Sequence, residues 1–380
     1  MRKDSAKITK GVYMSWSVLK SWSVIFGGVS FEHEISIVSA ISLKKVLGDK
    51  IKHFIFLDSS HSFYDIAPEK MQAKTFASGE YKSCKKLFLG LGGFYEKGFL
   101  GAQKPLSDLG VALNLIHGAD GEDGTLASIF DFYKIPFIGP RIEASVISFN
   151  KILTKIYVDS LDKSRVKTLP FCRYHRDELP YILDGSKPIA FPYPFIIKPA
   201  RLGSSIGIAI VNKQSEVEYA LDSAFELDDS VIVEPFYKGV REYNLAGFLG
   251  IKDGQKNTFI FSQVEEPSKK DLLDFNDKYL DFSRTDNAPK AQIDSKLESR
   301  LQEAFKIIYG KVFEGALIRC DFFVIDDEIY LNEINPIPGS LANYLFDNLE
   351  KALESIHLPR NKNIPITYAY VEHIRKTKGK

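Results

Sequence analysis

The chain has 380 residues, 44% of them hydrophobic and 26% charged, with a formal net charge of +1. That length and composition fit a globular protein of two or three domains, and the balanced charge excludes a general basic field for nucleic acid. No apolar run approaches the ~20 residues that span a bilayer, and Cys84, Cys172 and Cys320 stand far apart without ligand spacing, as expected of reduced thiols in a cytoplasmic protein.

The opening residues are basic but lack the long apolar core of a signal peptide. Met14 precedes the first strand, so residues 1–23 are expected to be a disordered or upstream tail. Val24–Phe26 reads as a strand, Glu32–Leu47 as a helix and Lys52–Leu57 as a strand. Val111–Ile116 reads as a buried strand and Thr125–Tyr133 as a helix. This βα alternation favours a parallel sheet; the turn-rich stretch from Ser59 to Lys104 stays unplaced. One helix is expected over Ile142–Leu161. Strands follow at Pro192–Pro199, Gly207–Val211 and Val231–Phe236, with a helix at Ser215–Phe225 before the last of them. Glu242–Leu249 and Thr258–Val264 read as long strands. The polar stretch 265–290 is too long for a plain connection and reads as a lid. A helix at Ser295–Tyr309, strands at Ala316–Ile325 and Glu328–Ile334, and a helix at Leu341–Ile356 complete the chain.

Five stretches can carry chemistry. In "LIRCDFFVIDDEIYLNEINPIPGS" strand alternation puts Arg319 and Asp321 on one face, and Glu333 and Asn335 on one face of the next strand. A hairpin gathers these oxygens into a hard-ligand set suited to Mg²⁺, although a solvated sheet face gives the same alternation. In "FIIKPARLGSSIGI" Lys198 ends a strand and Gly203–Gly207 forms a loop whose N–H groups suit phosphates, or a simple hairpin turn. No Walker A loop occurs. "VIVEPFYKGVREYNL" places Glu234 and Glu242 at strand ends, as a ribose and adenine site or as a surface acid pair. "LNLIHGADGEDGTL" places His117 before an acid-rich turn that fails the EF-hand pattern. "IFGGVSFEHEIS" has a glycine turn but no G-x-G-x-x-G fingerprint, and Glu32 and Glu34 fall where acids favour a helix start.

Taken together and in this order, GGxSxEHEISxxSA, HGxxGEDG, KPxxxGSSxGI and RxDFF…LNEINPxPG resemble the D-alanine-D-alanine ligases of the ATP-grasp superfamily. The resemblance runs from about Val24 to the C-terminal helix. It implies an α/β protein of three domains: a Rossmann-like N-terminal domain over 24–139, a central domain over 140–234 and a C-terminal domain over 235–380. By this resemblance Glu32 holds the ammonium of the first D-alanine, with His117 near the same substrate. Lys151, Lys198, Ser204 and Ser205 meet the phosphates of ATP, while Glu234 and Glu242 meet adenine and ribose. Lys278 and Tyr279 lie in the lid, the tyrosine bonding toward the serine and glutamate. Arg319 and the Gly339 N–H take the oxyanion, and Asp321, Glu333 and Asn335 bind two Mg²⁺ or Mn²⁺ ions. Many members carry a serine where Tyr344 falls, so Tyr344 or Ser340 takes over the carboxylate of the second substrate. Tyr279 and Ser204 are both candidates for the general base. The resemblance further implies a cytoplasmic homodimer with no nucleic-acid or membrane partner, serving peptidoglycan synthesis. Three readings compete with it: a ligase taking D-lactate as acceptor, a nicotinamide oxidoreductase and a catalytically dead ATP-binding regulator. The missing dinucleotide fingerprint and the intact set of charged residues argue against the last two.

Overall fold

The computed structural model describes residues 21–98, 102–252, 254–267, 288–359 and 364–378. Eight strands build the first sheet: β1 (Trp22–Gly27), β2 (Ile51–Leu57), β3 (Phe63–Ile66), β4 (Lys85–Gly90), β5 (Gly93–Lys97), β6 (Gln103–Pro105), β7 (Val111–Asn114) and β8 (Phe137–Ile138). Their order is β6-β5-β4-β3-β2-β1-β7-β8. β2, β1, β7 and β8 run parallel, because helices His33–Leu47 and Thr125–Tyr133 provide the crossovers. Both faces of this parallel half are covered, so every residue of β1 is buried. The unplaced stretch supplies β3 to β6, an antiparallel extension of the same sheet.

β9 (Lys167–Thr168) is a short strand that joins the last sheet. The second sheet is antiparallel: β10 (Cys172–His175), β11 (Phe195–Pro199), β12 (Ala209–Val211) and β13 (Ser230–Pro235), in the order β10-β13-β11-β12. Helix Val217–Phe225 packs its apolar face against it. The third sheet has the order β15-β14-β16-β17-β9, from β14 (Arg241–Lys252), β15 (Gln255–Phe261), β16 (Ile318–Ile325) and β17 (Glu328–Asn335). One continuous apolar core joins the helix His33–Leu47 side of the first sheet to the third sheet and helix Ser295–Tyr309. That core fixes the first sheet against the last, and the site lies where they meet.

Four expectations need correction. β1 begins at Trp22, whose indole is buried, so residues 21–23 belong to the fold rather than to a tail. The single helix over Ile142–Leu161 is two, Ile142–Phe149 and Lys151–Asp159. Asn150 breaks it: its backbone is extended, and its side chain accepts hydrogen bonds from the N–H groups of Ile152 and Leu153 as an N-cap. The helix over Leu341–Ile356 is only Leu349–Ser355. Ahead of it, Ser340, Leu341 and Ala342 sit at φ of 49°, 53° and 51°, which ends any right-handed helix there. Finally, β11 starts at Phe195 and β12 at Ala209, each later than expected.

Candidate active site

The site starts at the end of β1. Gly27 and Gly28 have φ of 102° and 84°, and a Cβ on Gly27 would stand 2.2 Å from the Leu57 carbonyl oxygen, so glycine is required. The tight turn brings the His33 ring onto the Gly28 carbonyl at 2.6 Å and delivers Glu32 to the N-cap of the first helix. Glu32 does not cap with its side chain. Its carboxylate is buried; Oε1 accepts a 2.5 Å hydrogen bond from Ser204, and Oε2 has no hydrogen-bond partner among the described residues. Gly118 and Gly203 close over it, for a Cβ on either would come within 3.0 Å of a Glu32 oxygen. Burial and then the neighbouring Glu122 push the Glu32 carboxyl above its usual range. A buried acid with one unspent oxygen is a site for a cation that is also a hydrogen-bond donor.

His117 ends the run after β7. It is buried, and burial lowers it to about 4, so the imidazole is neutral. Its Nε2 lies 3.1 Å from Ser39 Oγ, and its Nδ1 lies 3.7 Å from Glu122 Oε1. Glu122, in the quoted GEDG turn, had no expected role. It lines the cleft, and burial pushes its carboxyl up to about 8.

The glycine-serine loop reaches Glu32 from the second sheet. Ser204, Ser205 and Gly207 all have positive φ, which folds the loop back on itself. Lys151 sits at the first position of the helix that Asn150 starts, and its ammonium donates to the Leu202 carbonyl at the base of the loop. Lys198, on β11, pairs with Glu234 of the adjacent β13 at 2.7 Å. Lys155, which the sequence did not single out, bonds the other oxygen of the same carboxylate. Burial alone would push Glu234 up, but Lys198 and Lys155 outweigh it and hold the carboxyl down at about 2. Burial lowers Lys155, whereas Lys198 is raised because Glu234, Glu333 and Glu242 together overcome its burial. The Glu234 carboxylate is thus the counter-ion of two lysines rather than an open wall of the cleft. Glu242 faces Phe323 in the register of the third sheet, near enough to Lys198 to raise it.

On the third sheet, Arg319 stands opposite Asn335, and Asp321 opposite Glu333. The expected gathering of oxygens therefore occurs. A shift of register between Asp321 and Phe322 adds Asn332 to it, a residue that alternation alone did not reveal; its Oδ1 accepts from Lys198 at 3.3 Å. Arg319 grips Asp321 with two bonds of 2.7 and 2.8 Å, and Asn335 Nδ2 donates to Asp321 at 2.9 Å. Burial raises the Asp321 carboxyl; Arg319 opposes this and Glu333 adds to it. Glu122, Lys151, Gly203, Asn332, Glu333 and Asn335 line one narrow cleft between the sheets. Two facing carboxylates and an amide are hard oxygen donors that fit Mg²⁺ or Mn²⁺. Among the described residues no group of three or more His, Cys, Asp or Glu side chains is placed to hold a metal, so the remaining oxygens would come from phosphates and water.

Beyond Asn335, Gly339 and Ser340 are buried. Tyr344 is buried too, and its hydroxyl accepts from Arg319 at 2.9 Å, so the tyrosine stands beside the arginine where many relatives have a serine. Ser205 lies in the same loop, at a φ of 58°. Lys278 and Tyr279 fall outside the described residues.

Residues 21–140 match the family described as D-ala D-ala ligase N-terminus, and residues 185–352 match D-ala D-ala ligase C-terminus. The D-alanine--D-alanine ligase of Helicobacter hepaticus is 55% identical over 94% of this chain and 99% of its own length. That of Wolinella succinogenes is 53% identical with the same coverage. The crystal structure of D-alanine-D-alanine ligase from Helicobacter pylori superposes with a TM-score of 0.76 at 49% identity, covering 88% of this chain and 96% of that one. The VanG D-Ala:D-Ser ligase from Enterococcus faecalis gives 0.67 at 27% identity, covering 88% and 95%.

Proposed function

The chain belongs to the D-alanine-D-alanine ligase family, an ATP-grasp family, and from that premise we propose that it joins two D-alanines with ATP to give D-alanyl-D-alanine, ADP and phosphate. The product serves peptidoglycan precursor synthesis. The observation that carries this reading is the bond from Ser204 to Glu32, which sets a buried carboxylate against the glycine-serine loop. An ammonium held at Glu32 leaves the carboxylate of the same amino acid facing the phosphates under that loop.

A carboxylate is a poor acyl donor, so it first attacks the γ-phosphorus of ATP and becomes an acyl phosphate. Lys151 and Lys198 neutralise phosphate charge, and Ser204 and Ser205 lie along the loop above it. Two Mg²⁺ or Mn²⁺ ions on Asp321, Glu333 and Asn335 would draw charge from the transferring phosphoryl group. Glu242 and the strand end at Glu234 border the nucleoside. The amine of the second D-alanine then attacks the acyl carbon, and Arg319 with the Gly339 N–H receives the oxyanion. Burial works against the Arg319 charge, and Asp321 more than compensates, so the arginine stays cationic throughout. Tyr344 or Ser340 meets the second carboxylate, and His117 borders the first substrate. Lys278 and Tyr279 belong to a closing lid, which the acyl phosphate needs as protection from water. Tyr279 and Ser204 remain the two candidates for the base.

The acceptor is a second D-alanine rather than D-lactate, a reading supported by the names of the relatives at 50–55% identity. Domains over 24–139, 140–234 and 235–380, a homodimer and a cytoplasmic setting belong to the same proposal and rest on the family. No described helix is long and apolar enough to cross a membrane. Incubation with ATP, D-alanine and D-lactate tests the acceptor: dipeptide should predominate at neutral pH, and predominant depsipeptide overturns the reading.

A further inference from the structure

We propose that Ser39, together with His117, is a positioning residue that holds the backbone N–H of Gly339 where it receives the oxyanion. The proposal rests on the functional reading of Gly339 given above. Ser39 lies in the first quoted motif, but the chemistry described so far gives it no part.

The turn after β17 is strained. Ser340, Leu341 and Ala342 are three consecutive L-residues at φ near 50°, a conformation that such residues adopt singly and seldom in series. Something around the turn must impose it. The helix His33–Leu47 packs directly on this turn, and Ser39 is completely buried in the contact. The N–H of Ser340 donates to Ser39 Oγ at 3.2 Å, and the same Oγ lies 3.1 Å from His117 Nε2. A hydroxyl that accepts from Ser340 keeps its own proton for His117 Nε2. The proton of the neutral imidazole then sits on Nδ1, and the ring also makes a hydrogen bond to the Ile337 backbone, which favours its protonated form and so falls on the carbonyl. The pair therefore grips the chain on both sides of Gly339, at the Ile337 oxygen and at the Ser340 nitrogen.

The arrangement also links two parts of the site. Glu32 at the N-cap and Ser39 within the helix stand seven positions apart, about two turns along one side of it. The element that presents a carboxylate to the first substrate thus also braces the oxyanion donor. Deleting the Ser39 hydroxyl leaves Glu32, the lysines and the glycine-serine loop in place, and loosens His117 and the turn that carries Gly339.

The test separates the two half-reactions. Full-length Ser39→Ala is assayed with ATP, D-alanine and Mg²⁺ for kcat, KM and positional isotope exchange in ¹⁸O-labelled ATP. In the exchange, attack by the carboxylate breaks the bond between the γ-phosphorus and the bridging oxygen, the ADP phosphate rotates, and reversal returns scrambled ATP. Dipeptide turnover should fall about 10- to 100-fold. KM for ATP should hold within about 2-fold, and exchange per turnover should rise, because the acyl phosphate forms but is not consumed. Loss of exchange and turnover in equal proportion overturns the proposal, as does unchanged turnover. Should Ser39→Ala not fold, Ser39→Cys keeps the size with a weaker hydrogen-bonding group. It should show the same split at smaller amplitude, and wild-type behaviour overturns the proposal. A wild-type chain that makes no dipeptide overturns the functional reading and this proposal with it, whereas a normal wild type beside an indifferent Ser39→Ala overturns this proposal alone.

Discussion

On the proposed reading, the substrate end of the site depends on Glu32. One of its oxygens takes the Ser204 hydroxyl and the other is unspent among the described residues. Replacing the acid by an amide keeps shape but removes the charge that an ammonium requires. Glu32→Gln should raise KM for D-alanine at least tenfold while KM for ATP stays within about 2-fold, as read from initial rates; equal changes contradict the assignment. Glu122 makes a second prediction. Burial pushes its carboxyl up to about 8 in the folded chain, from an ordinary 4.5. The folded state therefore keeps a proton that the unfolded state has lost between those values, and stability falls as pH rises across that window. Urea melts at pH 5 and pH 8 should show Glu122→Gln losing less stability than wild type; an identical loss contradicts the burial argument. Glu32 and the acids of β16 and β17 are legible in the sequence as candidates, because strand alternation and a turn motif name them. The sequence did not show Lys155 or Glu122 as participants. A lysine on a helix looks the same in sequence whether solvated or buried, and only the fold brings Lys155 to Glu234.

Local elements hold these groups by specific devices. Asn150 stops one helix and starts the next, which places Lys151 at a helix N-terminus under the Leu202 carbonyl. Asn150→Ala should cost about 1 kcal/mol of stability, the usual worth of an N-cap, measured by urea denaturation; a loss within about 0.2 kcal/mol contradicts that role. Apolar periodicity ran straight through this cap, so the sequence suggested one helix where there are two. The strands from Phe63 to Pro105 escaped notice for another reason. β4 buries only Leu87 and β6 buries nothing, which leaves little alternation to read. The register shift beside Asp321 was equally hidden. A bulge is a property of the pairing, and it alone carries Asn332 to Lys198. The left-handed run of Ser340, Leu341 and Ala342 contains no glycine, so its sequence reads as the start of a helix.

At the scale of the molecule, no single sheet holds a complete site. The first sheet contributes Glu32 and His117, the second contributes Lys198 and the glycine-serine loop, and the third contributes Arg319, Asp321, Glu333 and Asn335. A shared core joins the first and third sheets, and Glu122, Lys151, Gly203, Glu333 and Asn335 line one cleft between the sheets. This convergence was legible in outline because the four motifs stand in one order along the chain. The distances were not, since they depend on how the sheets pack. The central claim is that phosphoryl transfer here needs an amino-acid carboxylate as acceptor. The most direct measurement is ADP release from ATP and Mg²⁺ with and without D-alanine. Release should depend on D-alanine and match the dipeptide formed; release at the same rate without D-alanine would contradict a carboxylate acceptor.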